Sequence, residues 1–396
     1  MAKCVLAFAG DLESLLAIPW LKEHYDLDVV TLSVDLGSEA DLEMLGEQAL
    51  MSGAVAARIE DLRDAFFSDF IAPVLRALAH YQTYLLSTAL ARPLVARELV
   101  RVALEEGATH VAHGSSIKGN DQVRLETAIT SLAPHLKILS PQHEWDLHTQ
   151  EQRLRYARAK RIAAPAPEQK PYRYDRNLWG QSIKCERFDD PGQPVCLDAY
   201  TLTRSPMEAP DQPEQVELEF REGLPVGLNS ERLPPVQLVE RLTEIAGRHG
   251  VGRTEVIEDR LVGFKSREVY ETPAATTLYA AKRGLEQMTL SRDSLQVREG
   301  LSVAYGRCVY NGQWFSDLRE ALDRFYAAIN QNVTGKVTLV LYKGTATVAA
   351  RSSDVSLYAP AAETEAGPEE LDTQAARGFI KVWSLPLTAE ARRKKG

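Results

Sequence analysis

Hydrophobic positions along the chain come in short continuous runs separated by amphipathic stretches. Residues 3–8 (KCVLAF) form an apolar run that predicts a buried strand. A glycine-bearing turn follows, Ala9-Gly10-Asp11-Leu12-Glu13-Ser14, and then Leu15, Leu16, Ile18, Trp20 and Leu21 predict a helix. Pro19 lies near its expected start, where proline is tolerated or kinks only mildly. Residues 27–34 predict a second strand ending at Asp35-Leu36-Gly37-Ser38. This strand–helix–strand order implies a parallel, doubly wound sheet. Helices are predicted near 39–52, 61–80 and 90–106, strands at 108–112 and 137–139, and a charged helix over 149–161.

The pattern changes at Ala163-Ala164-Pro165-Ala166-Pro167, which with Lys170-Pro171 reads as a linker. Residues 172–213 hold several prolines and little periodicity, and read as a long loop. Residues 216–220 alternate apolar and acidic side chains, as a half-buried strand does. Helices are predicted at 238–246 and 274–290, a strand at 260–264, and a hairpin from 337–342 and 345–351 across Lys343-Gly344. The alanine- and glutamate-rich stretch 359–368 reads as mobile, and the basic tail 392–396 as a frayed helix end. There is no internal repeat.

Composition narrows the function classes. A chain of 396 residues suits two domains. Its net charge of −9 argues against general nucleic-acid binding, which needs a basic field. Four scattered cysteines without a C-x-x-C pair suggest neither a zinc site nor a disulfide framework, and no metal ligands are assigned. No signal-like start is present, and no apolar run approaches the ~18 residues that span a bilayer. The expectation is a cytoplasmic protein with no membrane partner.

The chemistry concentrates in residues 113–126, HGSSIKGNDQVRLE. An apolar run precedes this stretch, and Leu125, Ala128, Ile129 and Leu132 follow at helical spacing. A polar segment between strand and helix lies where open α/β sheets bind ligands. Its glycines allow close backbone approach. The bland alternative is a solvated loop with a helix cap. Ala9-Gly10-Asp11, also before a helix, forms either an anion nest or a simple turn.

Residues 118–124 (KGNDQVR) make this stretch resemble the HG-x-x-GKGNDQVRFE segment of argininosuccinate synthases. The likeness continues through Tyr84-Leu85-Leu86, Leu90-Ala91-Arg92-Pro93, residues 247–253, Tyr270-Glu271-Thr272-Pro273 and Gly378-Phe379-Ile380. The resemblance implies an α/β fold: a Rossmann-like parallel sheet of the adenine nucleotide α-hydrolase type over residues 1–165. It further implies an α+β synthetase domain over 166–360 and a C-terminal oligomerisation arm over 361–396 of a homotetramer. The implied activity is an AMP-forming carbon–nitrogen ligase of arginine biosynthesis. ATP, with Mg²⁺, activates the ureido oxygen of citrulline and releases pyrophosphate; the aspartate amine then displaces AMP.

Carried over position by position, the resemblance assigns Ser116, Asn120 and Asp121 to aspartate. It assigns Tyr84, Asn120, Arg124, Ser182, Glu258 and Tyr270 to citrulline. Ala9, Gly10, Glu13, Ser14, Arg92 and Gly114 fall to the nucleotide, and Asp121 and Arg124 are the expected catalytic pair. Several positions depart from the family pattern. Ala89 and Arg173 replace citrulline-binding serines, Glu268 and Ile117 replace glycines, and Arg176 replaces an acid. The family loop Ser-Gly-Gly-Leu-Asp-Thr-Ser is here Ala9 to Leu15. Asp11 sets a negative charge where phosphates pass, which predicts weaker ATP binding unless Asp11 and Glu13 recruit Mg²⁺ together. These departures keep open an impaired or repurposed paralogue that binds an amino acid or a partner, or a ligase for another ureido or carboxylate substrate.

Overall fold

The computed structural model describes residues 2–38, 41–116, 119–163, 171–358 and 372–394. Ile117, Lys118, most of the alanine–proline linker, residues 359–371 and the last two residues of the basic tail lie outside the described residues. The chain divides into two compact units, Met1–Val355 and Ser356–Gly396.

The first sheet contains β1 (Ala2–Ala7), β2 (Leu27–Asp35), β3 (Ala56–Asp61), β4 (His110–Ala112) and β5 (Lys137–Leu139) in the order β3-β2-β1-β4-β5. All four pairings are parallel. Cys4, Val5 and Leu6 have no exposed surface, because helices cover both faces. That double burial is why the strand reads as an unbroken apolar run. One face packs under α1 (Leu12–Tyr25) and α2 (Leu42–Met51), the other under α5 (Ser87–Glu105) and α6 (Asn120–Leu132). The chain leaves β1 toward β2 on one side, while β4 pairs on the other side. The strand order therefore reverses between β1 and β4. Cys4 faces His110 and Leu6 faces Ala112, so the polar segments after these strands emerge side by side.

Pro19 is not near the start of its helix. The helix begins at Leu12, and Pro19 sits in its interior, where it removes the N–H that would bond the Leu15 carbonyl. The expected helix over 61–80 is broken into α3 (Arg63–Phe66), a π-helical turn (Phe67–Ile71) and α4 (Ala72–Ala77), ending at Leu78 with φ 45°. Side chains from late in the sequence satisfy the last carbonyls of α4. Lys282 Nζ (3.0 Å) and Asn330 Nδ2 (3.1 Å) donate to Arg76 O, and Ser302 Oγ (2.6 Å) to Ala77 O. The following segment, which carries Tyr81 and Tyr84, is thereby anchored. Short α7 (Pro141–Glu144) and α8 (Gln150–Ala159) complete this half of the unit.

The segment 172–213 is not all loop. It opens with β6 (Arg173–Asn177) and β7 (Gly180–Lys184), a hairpin of mostly polar residues that gives no apolar alternation to detect. After β8 (Glu214–Arg221), β9 (Leu224–Leu228), the two-residue β10 (Glu231–Arg232) and α9 (Pro235–Arg248) come β11 (Arg253–Asp259) and β12 (Lys265–Glu271). The expected strand at 260–264 is the turn between these two. Arg260 N bonds Phe264 O at 2.9 Å, and Gly263 takes φ 97°. Antiparallel pairing gives the sheet β11-β12-β7-β6.

Then follow α10 (Pro273–Thr289), α11 (Arg292–Tyr310), α12 (Asp317–Asn330), β13 (Gly335–Tyr342) and β14 (Thr345–Ser352). The β13–β14 hairpin turns at Lys343 and Gly344, both with positive φ, as the strand twist requires. A third sheet, β10-β9-β8-β13-β14, packs with these helices into the largest core. One buried acid holds a long irregular segment. Glu271, fully buried, accepts hydrogen bonds from the backbone of Thr201 (3.0 Å), Leu202 (3.1 Å) and Thr203 (2.8 Å), and from the Thr203 hydroxyl (2.6 Å).

In the second unit, α13 (Thr373–Trp383) is capped by Asp372 and followed by α14 (Leu385–Arg393). Phe379, Ile380, Trp383, Leu385 and Leu387 are exposed there. Among the described residues no helix is long and apolar enough to cross a membrane.

Candidate active site

A cavity of about 440 Å³ opens at the carboxyl ends of β1 and β4. Ala9, Asp11 and Ser14 form one wall, and His113, Gly114 and Ser115 the opposite one. Arg92 and Val95 of α5 and residues 174–177 of β6 close it. The two loops singled out in the sequence thus share one crevice, at the point where strand order reverses. Gly10 takes φ 76°, and a Cβ there would lie 2.2 Å from Leu45 Cδ2, so a larger residue would be strained and would displace Leu45.

The loop's two acids face different partners. Asp11 caps α1: its Oδ1 accepts from Ser14 N at 2.9 Å, and Ser14 Oγ returns a bond to Asp11 O at 3.0 Å. Glu13 is bound by Arg153 of α8 at 2.5 Å and is not on the cavity wall. The two carboxylates are thus held by separate partners, Ser14 N and Arg153. On the other wall, Ser115 N donates to His113 Nδ1 at 3.2 Å, and His113 Nε2 meets Glu126 Oε1 at 3.3 Å. That fixes the neutral imidazole with its proton on Nε2.

A second group of residues lies on one face of the β11-β12-β7-β6 sheet. Ser182 pairs with both Tyr270 and Asp175 across the strands, and side chains two apart share a face. This register sets Asp175, Ser182, Tyr270, Glu268 and Glu258 on the same side. Tyr84 stacks on Tyr270 with ring centroids 4.0 Å apart. The Tyr84 hydroxyl accepts from the backbone of Thr88 (2.9 Å) and Ala89 (3.0 Å), and burial pushes its pKa up to about 12. Glu258, 3% exposed, accepts from Tyr270 OH at 2.6 Å and from Tyr310 OH at 2.7 Å. Burial holds its carboxyl above the ordinary glutamate range, against those two donors. Ser182 Oγ is buried with no hydrogen-bond partner among the described residues. A buried hydroxyl left unpaired has room to bond a ligand atom or a water.

Arg92 joins the two regions. It lines the cavity and bonds Asp121 at 3.0 Å, with Asp175 its other partner. Asp121 in turn accepts from Arg124 Nη1 at 2.9 Å. Burial opposes ionisation of Asp121, but Arg92 and Arg124 beside it hold its carboxyl far below the usual range. Arg124 lies over the Tyr310 ring, 4.9 Å from its centroid. Asn120, at the start of α6, donates to Tyr310 OH at 2.9 Å and accepts from Leu261 N at 2.9 Å. Ser116 stays exposed, its carbonyl accepting from Gly119 N at 2.9 Å.

Three residues here were not legible beforehand: Asp175, Arg260 and Tyr310. Arg260 pairs with Glu268 at 2.7 Å, so the acid that replaces a family glycine has its cation on the same hairpin. Arg173 is exposed at the sheet's end. The Tyr310-Asn311-Gly312 stop marks the end of α11 without marking a role for the tyrosine. Gly312 takes φ 75°, and a Cβ there would lie 2.8 Å from Arg124 Cα, which marks a close approach to α6.

Comparison with known proteins matches this arrangement to one family. The arginosuccinate synthase N-terminal HUP domain matches residues 3–163, and the arginosuccinate synthase C-terminal domain matches residues 172–390. An argininosuccinate synthase of Pelotomaculum thermopropionicum is 47% identical over 100% of this chain and 99% of its own length. One from Desulfitobacterium hafniense is 45% identical over 100% and 99%. One from Symbiobacterium thermophilum is 46% identical over 99% and 98%. With both domain models matched and relatives aligned from end to end, the chain belongs to the argininosuccinate synthase family.

Proposed function

We propose that this chain performs its family's reaction, the ATP-dependent ligation of citrulline and aspartate with release of AMP and pyrophosphate. The supporting observation is the polar chain from the cavity at β1 and β4 through Arg92 to Asp121 and Arg124, and from Arg92 to Asp175 on the sheet face that carries Glu258. Ala9, Gly10, Ser14, Gly114 and Arg92 would flank the nucleotide. The open amides at the start of α1 and the Arg92 guanidinium suit its phosphates. Glu258 would take the α-ammonium of citrulline, with Tyr84, Arg124, Ser182 and Tyr270 around it. Ser116, Asn120 and Asp121 would hold aspartate, whose amine must reach the activated ureido carbon. Positioning of both partners supplies much of the rate.

Magnesium would arrive on the phosphate oxygens. Of the two acids on the cavity wall, Asp175 is held by Arg92 and Asp11 caps α1. We assign residues 1–165 to the nucleotide, 166–360 to the amino acids and 361–396 to oligomerisation, as a homotetramer. The exposed apolar side chains of α13 and α14 favour that role, which light scattering on the chain with and without residues 361–396 tests. The need for ATP and free amino acids favours the cytoplasm. The decisive assay is pyrophosphate release: sustained turnover should require ATP, citrulline and aspartate together. Absence of release with all three present would refute the ligase reading.

A further inference from the structure

The hydroxyl of Tyr310 stands between the two amino-acid subsites. We propose that Tyr310 is a positioning residue shared by both, an inference that rests on the ligase reading above. It is the last residue of α11, and only 1% of it is exposed. Its hydroxyl accepts from Asn120 Nδ2 at 2.9 Å and donates to Glu258 Oε2 at 2.7 Å. Asn120 is assigned to aspartate as well as citrulline, and Glu258 to citrulline. The same residue's carbonyl accepts from Arg124 Nε at 2.9 Å. The ring lies flat on Tyr81, with centroids 3.6 Å apart and planes 7° apart.

The chemistry separates ring from hydroxyl. A phenylalanine would keep the stack on Tyr81, the contact with Arg124 and the backbone carbonyl. What it would lose is the O–H, which touches Asn120 and Glu258 together. Burial, and then the neighbouring Glu258 carboxylate, push the phenol well above its ordinary pKa, so its proton stays available to donate. A hydroxyl that accepts from one group and donates to the next polarises in series, so the two bonds support each other. Asn120 without it loses the acceptor for one N–H, and Glu258 loses one of its two donors. Tyr310 is not on the wall of the nucleotide cavity. Its removal should therefore spare ATP.

The test is steady-state kinetics on the full chain and Tyr310→Phe, reading KM for each of the three substrates, kcat and the thermal midpoint. Expected are rises of about tenfold in KM for both citrulline and aspartate, the scale of one hydrogen bond to a charged group. KM for ATP should stay within about twofold, and kcat should fall less than either amino-acid KM rises. Unchanged amino-acid KM values, a rise in only one of them, or an equal rise for ATP would each overturn the assignment. Should Tyr310→Phe not fold, Glu258→Gln keeps the ring and hydroxyl but weakens the acceptor. A rise in aspartate KM as well as citrulline KM is then expected, and a rise for citrulline alone overturns the idea. A wild-type chain without pyrophosphate release removes the ligase reading and this inference with it. Normal wild-type turnover with an unaffected Tyr310→Phe removes this inference alone.

Discussion

Asp11 and Ser14 close a ring at the start of α1: the carboxylate accepts the Ser14 amide at 2.9 Å, and the Ser14 hydroxyl donates to the Asp11 carbonyl at 3.0 Å. The chain's own carboxylate thus sits on the helix end that a phosphate would use. Two charges 4 Å apart repel by roughly 4 kcal/mol at an effective dielectric of 20. Asp11 is exposed, which screens most of this. Asp11→Gly with Ala9→Ser should tighten ATP about tenfold by calorimetry and lower stability by ~1 kcal/mol through the lost cap. Equal ATP affinities would show that Asp11 already turns away from the phosphates.

Citrulline should gain from restored hydroxyls, and aspartate should not. Ala89 is fully buried beside the Tyr84 hydroxyl, and Arg173 is exposed at the end of the polar sheet face. Each recovered hydrogen bond contributes about 1 kcal/mol. Ala89→Ser with Arg173→Ser should therefore strengthen citrulline binding by roughly tenfold or more, with aspartate affinity unchanged. Titration of each amino acid separately reads this, and no change for citrulline would count against the two positions.

Glu258 and Asp121 should respond to acid in opposite ways. The Glu258 carboxyl is raised above 4.5 by burial, so its capacity to hold an ammonium should fade at pH values where an ordinary glutamate is still ionised. The citrulline KM should climb as pH drops toward that range, and Glu258→Gln should flatten the profile. The folded Asp121 carboxyl lies below its unfolded value of 3.8. Its stabilising contribution is therefore complete above that value and lost as pH falls through the lower folded one. Melting midpoints measured below pH 4 should drop less steeply for Asp121→Asn than for the natural chain.

Glu271 holds three successive amides of residues 201–203, and an amide side chain cannot accept from all of them. Glu271→Gln should cost about 2–4 kcal/mol by urea unfolding. A loss below 1 kcal/mol would mean that the loop finds other partners.

The first sheet was readable because its strands are buried on both faces and its turns carry ligand-type residues. The amino-acid pocket was readable only through family likeness. Ser182 and Glu258 come together by strand register, which periodicity does not reveal when the strands are polar, as β6 and β7 are. The turn at 260–264 reads as a strand in sequence because Leu261, Val262 and Phe264 are apolar, while Gly263 with φ 97° makes the reversal. Tyr310 escaped because its contacts, Asn120 and Glu258, are tertiary. Nothing in its local sequence separates a core tyrosine from one at the end of a pocket.

The contact between Asn120 and Tyr310 spans 190 residues, and this sets an order in time. At about 5–20 residues per second, a ribosome delivers Tyr310 roughly 10 to 40 s after Asn120. The parallel sheet and its crevice can close within that interval, while Arg124 still lacks the ring and carbonyl that later hold it. On that clock the first sheet precedes the contacts that Tyr310 makes with Asn120, Arg124 and Glu258, which wait for α11 to dock.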